Sequence, residues 1–262
     1  MLRAINRPHL ARIARTMLPP RFPTLVLLPG MDGTGRLFEP LLKTLGPDVP
    51  AQLLDYPANL PLDYPALQER VWEQLPKDRP FVLLGESFSG PVAVALAARK
   101  PPGLLGLVLC ASFVRNPRPA LAPLMGLLKL VSLHHLPSWP MAALLLGRFS
   151  TPGLRTALAG AIAQVASSVL RARLLAVRDV DCSAALAASQ LPLMYLRARQ
   201  DRLVPATAAA LVLQLRPDTQ VIEIDGPHCL LQAAPAEAAQ HLRHFIQALP
   251  GLQYQEPALV HR

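Results

Sequence analysis

The chain has 262 residues, which suits one large α/β domain or two small ones, and its 52% hydrophobic content and mean hydropathy of +0.30 are enough to build a sizeable core. Three cysteines, Cys110, Cys182 and Cys229, are too few and too scattered for a disulfide framework or a zinc site, and they point to a reducing, cytoplasmic compartment. The net charge of +9 comes with no nucleic-acid-binding motif and no basic stripe interleaved with aromatics, so nucleic acid is excluded as a partner.

Residues 1–23 form a basic extension, set apart from the fold, with five Arg and no acid between Met1 and Arg21. It lacks the continuous apolar core of a secretory signal. Thr24 to Leu28 is a short apolar run ending at Pro29-Gly30 and predicts a buried parallel strand. Met31 to Gly35 reads as a loop, and Leu37 to Leu45 as a helix with Pro40 in its first turn. Ala51 to Asp55 is a second strand, closed by Tyr56-Pro57. Tyr64 to Leu75 carries Leu67, Val71 and Leu75 at spacing four, the pattern of an amphipathic helix. Phe81 to Leu84 is the third strand. Leu104 to Cys110 is the fourth.

The alternation stops near Ser112. Residues 114–188 are rich in Leu and Ala, punctuated by proline, and predict a helical cap inserted into the fold. Leu121 to Gly147, the most apolar part, is broken by Lys129, His134, His135, Pro137 and Pro140, so no transmembrane helix is expected. Alternation resumes with a strand at Leu193 to Arg197, a helix at Thr207 to Leu215, a strand at Gln220 to Ile224 and a closing helix from Pro235 to Leu249. Strands alternating with helices predict an α/β fold, a doubly wound and mostly parallel sheet of about six strands, with core segments 24–113 and 189–262.

The chemistry centres on Gly85-Glu86-Ser87-Phe88-Ser89-Gly90, between the third strand and an Ala/Val-rich helix. This is the strand–turn–helix context of a nucleophile elbow, where small residues flank an exposed serine. The usual Gly-x-Ser-x-Gly is altered: Ser89 holds the last position and Gly90 comes one residue late. Ligands of a doubly wound sheet bind at the carboxyl ends of the strands. The polar residues there are Ser87 after the third strand, Asp201 after the fifth and His228 after the sixth. A serine hydroxyl needs a base, and the base needs an orienting acid, so Ser87, His228 and Asp201 form a candidate triad. Asp225 is the competing acid, only three residues from His228. The backbone N–H groups of Met31 and Phe88 are candidate oxyanion donors, with Gly30 letting the loop approach substrate. Glu86 is expected to point away from the serine in a structural role, and Asp32 to serve as a turn residue. No metal cluster, P-loop or dinucleotide fingerprint occurs, so no metal or other cofactor is expected.

These residues carry a resemblance. Over residues 24–249 the chain resembles the α/β-hydrolase superfamily. Leu-Leu-Pro-Gly-Met-Asp-Gly-Thr-Gly (27–35) with Gly-Glu-Ser-Phe-Ser-Gly (85–90) is similar to small bacterial hydrolases distantly related to the hydrolase-like part of plant phytyl ester synthases. Pro29-Gly30 stands where the superfamily often has His-Gly, and the hairpin that often opens that fold is missing. The resemblance implies ester chemistry: hydrolysis of carboxylic esters or thioesters through an acyl-enzyme, with acyl transfer on the same triad or a binding-only role as alternatives. It also implies that the insertion roofs Ser87, with Phe113, Leu124, Leu128, Trp139 and Phe149 in a pocket for a small or lipid-like ester.

From Ser87 to Arg178 there is no Asp or Glu, while Arg115, Arg118, Arg171 and Arg173 all fall there. A basic cap predicts an anionic partner, an acyl carrier or a membrane surface, unless it is simply a solvated face.

Overall fold

The computed structural model describes residues 22–121 and 138–250. Six strands form one sheet: β1 (Thr24–Leu28), β2 (Ala51–Leu53), β3 (Phe81–Glu86), β4 (Leu104–Cys110), β5 (Leu193–Ala198) and β6 (Gln220–Ile224). Their order is β2-β1-β3-β4-β5-β6, and every pairing is parallel. β3 runs two residues further than its apolar run, because Gly85 and Glu86 still pair with Leu109 and Cys110.

Side chains alternate across the sheet, and both faces are buried, so the inner strands are apolar throughout. Val26, Leu28, Phe81, Leu83, Leu107 and Leu109 face one layer, formed by α2 (Tyr64–Gln74), α3 (Gly90–Ala98) and α8 (Ala206–Leu215). Leu25, Leu27, Val82, Leu84, Val108 and Met194 face the other, formed by α1 (Glu39–Leu45), α9 (Leu230–Ala233) and α10 (Pro235–Gln247). Asp63 caps α2 by accepting from the Ala66 N–H at 3.0 Å, satisfying one of the free donors of the first turn.

Between β4 and β5 lie α4 (Ser138–Leu145), α5 (Pro152–Ala163), α6 (Ser167–Asp179) and α7 (Ser183–Ala188). The insertion leaves and rejoins the core through a two-residue antiparallel bridge, Arg115 opposite Asp181. Its boundary differs from the sequence expectation of 114–188. α7 packs on α3 and α8, with Leu186 fully buried in that layer, so the core resumes by Ser183. The basic extension lies outside the described residues. Among the described residues, no single helix is long and apolar enough to cross a membrane.

Two glycines give a stability test. A Cβ on Gly85 would meet the Ser89 carbonyl oxygen at 2.7 Å and the Gly90 Cα at 3.0 Å, both backbone atoms that cannot swing aside. Gly85→Ala is expected to lower the unfolding free energy by about 1–3 kcal/mol, as overpacking does. Gly160, on the exposed face of α5, has nothing within 4 Å of such a Cβ. Gly160→Ala is expected to raise it by about 0.5–1 kcal/mol, because a helical glycine loses more entropy on folding. Urea unfolding midpoints of the two variants should therefore move in opposite directions.

Candidate active site

The elbow stands at the carboxyl end of β3, beside β1, where the strand order reverses. Ser87 has φ 48°, a left-handed backbone that is rare for any residue but glycine. Neighbours hold it there. Ser112 Oγ donates to the Ser87 carbonyl at 2.6 Å. It fits because Gly90 has no side chain: a Cβ there would lie 1.8 Å from Ser112 Oγ. The late glycine of the motif thus makes room for Ser112, just past the end of β4. Tyr64 OH donates to the Phe88 carbonyl at 3.0 Å, and its ring stacks on Phe88 at 4.8 Å. Ser89 Oγ donates to the Pro29 carbonyl and pairs with Tyr56 OH at 2.6 Å, so this departure from glycine ties the elbow to the loop after β1.

The structure brings Ser87, His228 and Asp201 together from three strand ends. Ser87 Oγ lies 2.8 Å from His228 Nε2, and His228 Nδ1 lies 2.7 Å from Asp201 Oδ2. The other carboxylate oxygen, Oδ1, accepts from the Leu203 and Val204 N–H groups, each at 2.8 Å, so the acid cannot rotate freely. All three side chains are buried or nearly so. Asp225, the competing acid, bonds Gln200 and Arg148 instead.

Gly30 and Met31 pass close to the serine: a Cβ on Gly30 would lie 4.0 Å from the Ser87 Cβ. Phe88 occupies the 3-10 turn Ser87–Ser89, at the amino end of α3, where backbone N–H groups are unsatisfied. Asp32 is a turn residue, its Oδ2 accepting from the Thr34 N–H and hydroxyl at 2.9 and 2.6 Å.

A cavity of about 610 Å³ opens over Ser87. Gly30, Met31, Phe88 and Phe113 line it from the core. Met141 and Leu144 of α4, Ile162 of α5, and Leu170, Leu174 and Val177 of α6 line it from the insertion. Two expected lining residues are elsewhere. Trp139, the second residue of α4, is 71% exposed and is not part of the described lining. Phe149 sits in the 3-10 turn Gly147–Phe149 with the Arg148 guanidinium 4.9 Å over its ring, away from the described lining. Leu124 and Leu128 lie outside the described residues.

The basic face is also smaller than expected. Arg148 pairs with Asp225 at 2.8 Å and Arg178 with Asp179 at 2.6 Å. Arg118 stays exposed while donating to the Arg202 and Leu203 carbonyls, in the loop that holds Asp201. Arg173 is 1% exposed. The signal was in the sequence: Val169, Arg173 and Val177 share one helical stripe, and that stripe faces the core.

Gln232, on α9, was not foreseen. It donates to Glu86 Oε1 at 3.0 Å, and both residues line the cavity. Burial pushes the Glu86 carboxyl up to about 7. Burial likewise pushes the Cys229 thiol, beside His228, well above its usual range. Among the described residues, no cluster of three or more His, Cys, Asp or Glu could hold a metal ion.

A family model described as "Alpha/beta hydrolase family" matches residues 20–241. The chain is 30% identical over 259 residues to the biotin biosynthesis bifunctional protein BioHC of Cellvibrio japonicus, covering 87% of this chain and 48% of that protein. It is 36% identical over 118 residues to the chloroplastic phytyl ester synthase 1 of Arabidopsis thaliana, covering 42% of this chain and 16% of that one. The chain thus spans half or less of the curated relatives it matches. Among solved structures, the enol-lactonase of Burkholderia xenovorans superposes with a TM-score of 0.75 at 15% identity, covering 86% of this chain and 92% of that one. A thermophilic esterase of Thermogutta terrifontis superposes at 0.74 and 19% identity, covering 86% and 89%. These two likenesses are of fold.

Glu86 makes stability depend on pH. The unfolded chain releases this proton near the ordinary value of 4.5, whereas the folded chain holds it to about 7. Between those values the folded state binds more protons, so the contribution falls as pH rises and levels off above 7. The loss is on the order of 3 kcal/mol, each unit being about 1.4 kcal/mol. Glu86→Gln keeps an acceptor for Gln232 and removes the slope. The difference in unfolding free energy between variant and wild type, measured by urea titration from pH 4.5 to 8, should grow in favour of the variant and then plateau.

Proposed function

The chain belongs to the alpha/beta hydrolase family, and from that premise we propose that it is a serine hydrolase cleaving carboxylic esters or thioesters through an acyl-enzyme. The observation that carries this reading is the unbroken relay from Asp201 through His228 to Ser87 beneath an apolar cavity. His228 Nε2 takes the Ser87 proton as Oγ attacks the substrate carbonyl carbon. Asp201 holds the proton on Nδ1 and stabilises the imidazolium. The Met31 and Phe88 N–H groups bind the oxyanion as the tetrahedral intermediate forms. His228 then returns the proton to the leaving alcohol or thiol, and the acyl group stays on Ser87. Water enters and gives a proton to His228 as it attacks the acyl carbon; the acyl–Oγ bond then breaks, His228 Nε2 returns that proton to Ser87 Oγ, and the acid leaves.

A second reading is acyl transfer, in which an alcohol takes the place of that water. The cavity favours it, because its lining is mostly aliphatic and leaves few partners for water. The similarity to a protein named as an ester synthase points the same way. Product analysis with an added long-chain alcohol separates the two.

A panel of p-nitrophenyl esters of increasing chain length tests the reaction class. Ser87→Ala and His228→Ala should each lower kcat by at least about 10⁴, because triad members act as a unit. Retention of a few per cent of activity in either variant rules the assignment out. Leu174→Trp, which fills the cavity from α6, should shorten the longest acyl chain turned over, while Trp139→Ala should leave that profile unchanged.

An anionic acyl carrier or membrane surface is the partner class the cap's charge suggests, now resting on fewer exposed arginines. Catalytic efficiency on an anionic acyl carrier should fall steeply with salt, since exposed charges are screened within about 8 Å at physiological ionic strength. Efficiency on a neutral ester should barely change. An equal response on both would leave the charge without a partner.

A further inference from the structure

We propose that Arg173 is a positioning residue for the oxyanion hole: a guanidinium carried by the cap grips the turn that aims the Met31 N–H at the reacting carbonyl. The proposal rests on the serine-hydrolase reading and adds a residue to it. Arg173 lies midway along α6 and is 1% exposed. A buried guanidinium is costly unless its donors are matched. Here three of its five N–H donors are taken up by hydrogen bonds, all to backbone carbonyls of the core. Nη1 donates to Met31 O at 2.8 Å and to Asp32 O at 3.0 Å, while Nη2 donates to Pro57 O at 3.0 Å. The Tyr56 ring lies 5.6 Å from the guanidinium carbon.

The two gripped carbonyls belong to the middle of a turn. The Gly33 N–H donates to Gly30 O at 3.0 Å, with Met31 and Asp32 between them. The Gly30–Met31 peptide is planar and trans, so its N–H points opposite to its C=O. Fixing the Gly30 carbonyl toward Gly33 therefore fixes the direction of the Met31 N–H. Every carbonyl from Pro29 to Asp32 is engaged: the first by Ser89, the second by Gly33, the last two by Arg173. Gly33 makes room for this grip. Its φ is +70°, and a Cβ there would sit 2.6 Å from Arg173 Nη1. The loop after β1 is thus shaped to receive a side chain from the cap.

The bland reading is a strut that merely ties cap to core, and its loss would lower stability and substrate affinity. A positioning role has a different signature. It acts on the transition state, so kcat falls and KM holds. It also acts through the carbonyl oxygen. A thionoester places a larger sulfur, a weak acceptor, where that oxygen would sit, so its turnover is nearly indifferent to the hole.

The test compares wild type, Arg173→Ala and Arg173→Lys on matched oxo- and thionoesters, with melting temperature as the control for folding. Arg173→Ala is expected to lower kcat on the oxoester by about 10²–10³, the usual effect of losing one oxyanion donor. KM should stay within about threefold and thionoester turnover within about tenfold. Arg173→Lys should fall between, since one ammonium cannot span three carbonyls. Added guanidinium chloride at millimolar concentration should restore part of the Arg173→Ala activity and none in Ser87→Ala. Equal loss on both ester types, or a kcat within about threefold of wild type, overturns the proposal. Hydrogen exchange gives a readout independent of activity: the peptide spanning residues 29–34 should lose protection in Arg173→Ala, and unchanged protection also overturns it. If wild type cleaves neither ester, the hydrolase reading fails, and the exchange result alone judges the clamp. Should Arg173→Ala not accumulate as folded protein, Arg173→Lys, which keeps the charge but not the fork that reaches three carbonyls, carries the same comparison.

Discussion

One backbone torsion governs the site, the left-handed Ser87 at φ 48°. Such a conformation costs about 1–3 kcal/mol and persists only where its surroundings over-determine it. They do so here with polar contacts from every side. Ser112 reaches the Ser87 carbonyl, Tyr64 the Phe88 carbonyl, and Ser89 the Pro29 carbonyl. Buried hydrogen bonds contribute about 1 kcal/mol each, so these together offset the strain. Glycines at positions 85 and 90 supply the missing volume that lets β3, α3 and the end of β4 approach so closely. The tyrosine hydroxyls are themselves organised: Tyr195 donates to the Ser112 carbonyl at 2.5 Å, so even the residue that holds the elbow is held.

The electrostatics follow from burial. Ser87, His228 and Asp201 lie between a close-packed sheet and an aliphatic roof, where hydrogen bonds are stronger than in water and an unmatched group is costly. Asp201 has both oxygens matched, and its loop is anchored by Arg118 from the cap. Asp225 is half-exposed and occupied by Arg148 and Gln200, which removes it from the relay although it is closer to His228 in sequence. Glu86 is the odd group, a carboxyl in an apolar wall with a single amide donor from Gln232. That setting explains why its proton is held so tightly.

The parallel sheet was legible because four- and five-residue apolar runs such as Thr24–Leu28 and Phe81–Leu84 are what burial on both faces demands. The candidate triad was legible because strand ends in such a sheet converge on one edge. What escaped the sequence was orientation within the insertion. Trp139 and Phe149 are apolar, but hydrophobicity does not say which side of a short helix meets the cavity. Leu170, Leu174 and Val177 meet it because α6 turns one stripe toward Ser87. Arg173 was misread as surface charge because a run of basic residues was weighed by composition, whereas its spacing with Val169 and Val177 marked it as interior. Gln232 left no trace, since the short α9 that carries it has too few residues for any period to show.

The insertion is wired into each of the three loops that carry the candidate site by a polar contact. Arg173 bonds the loop after β1, Arg118 the loop of Asp201, and the Leu145 carbonyl accepts from the Cys229 N–H at 3.1 Å, next to His228. Roof and machinery are therefore not separable parts. A lineage that exchanged this roof for another would gain a new pocket and lose three anchors at once. A designer recombining this roof with a foreign core would have to transplant the matching loops with it to keep these contacts.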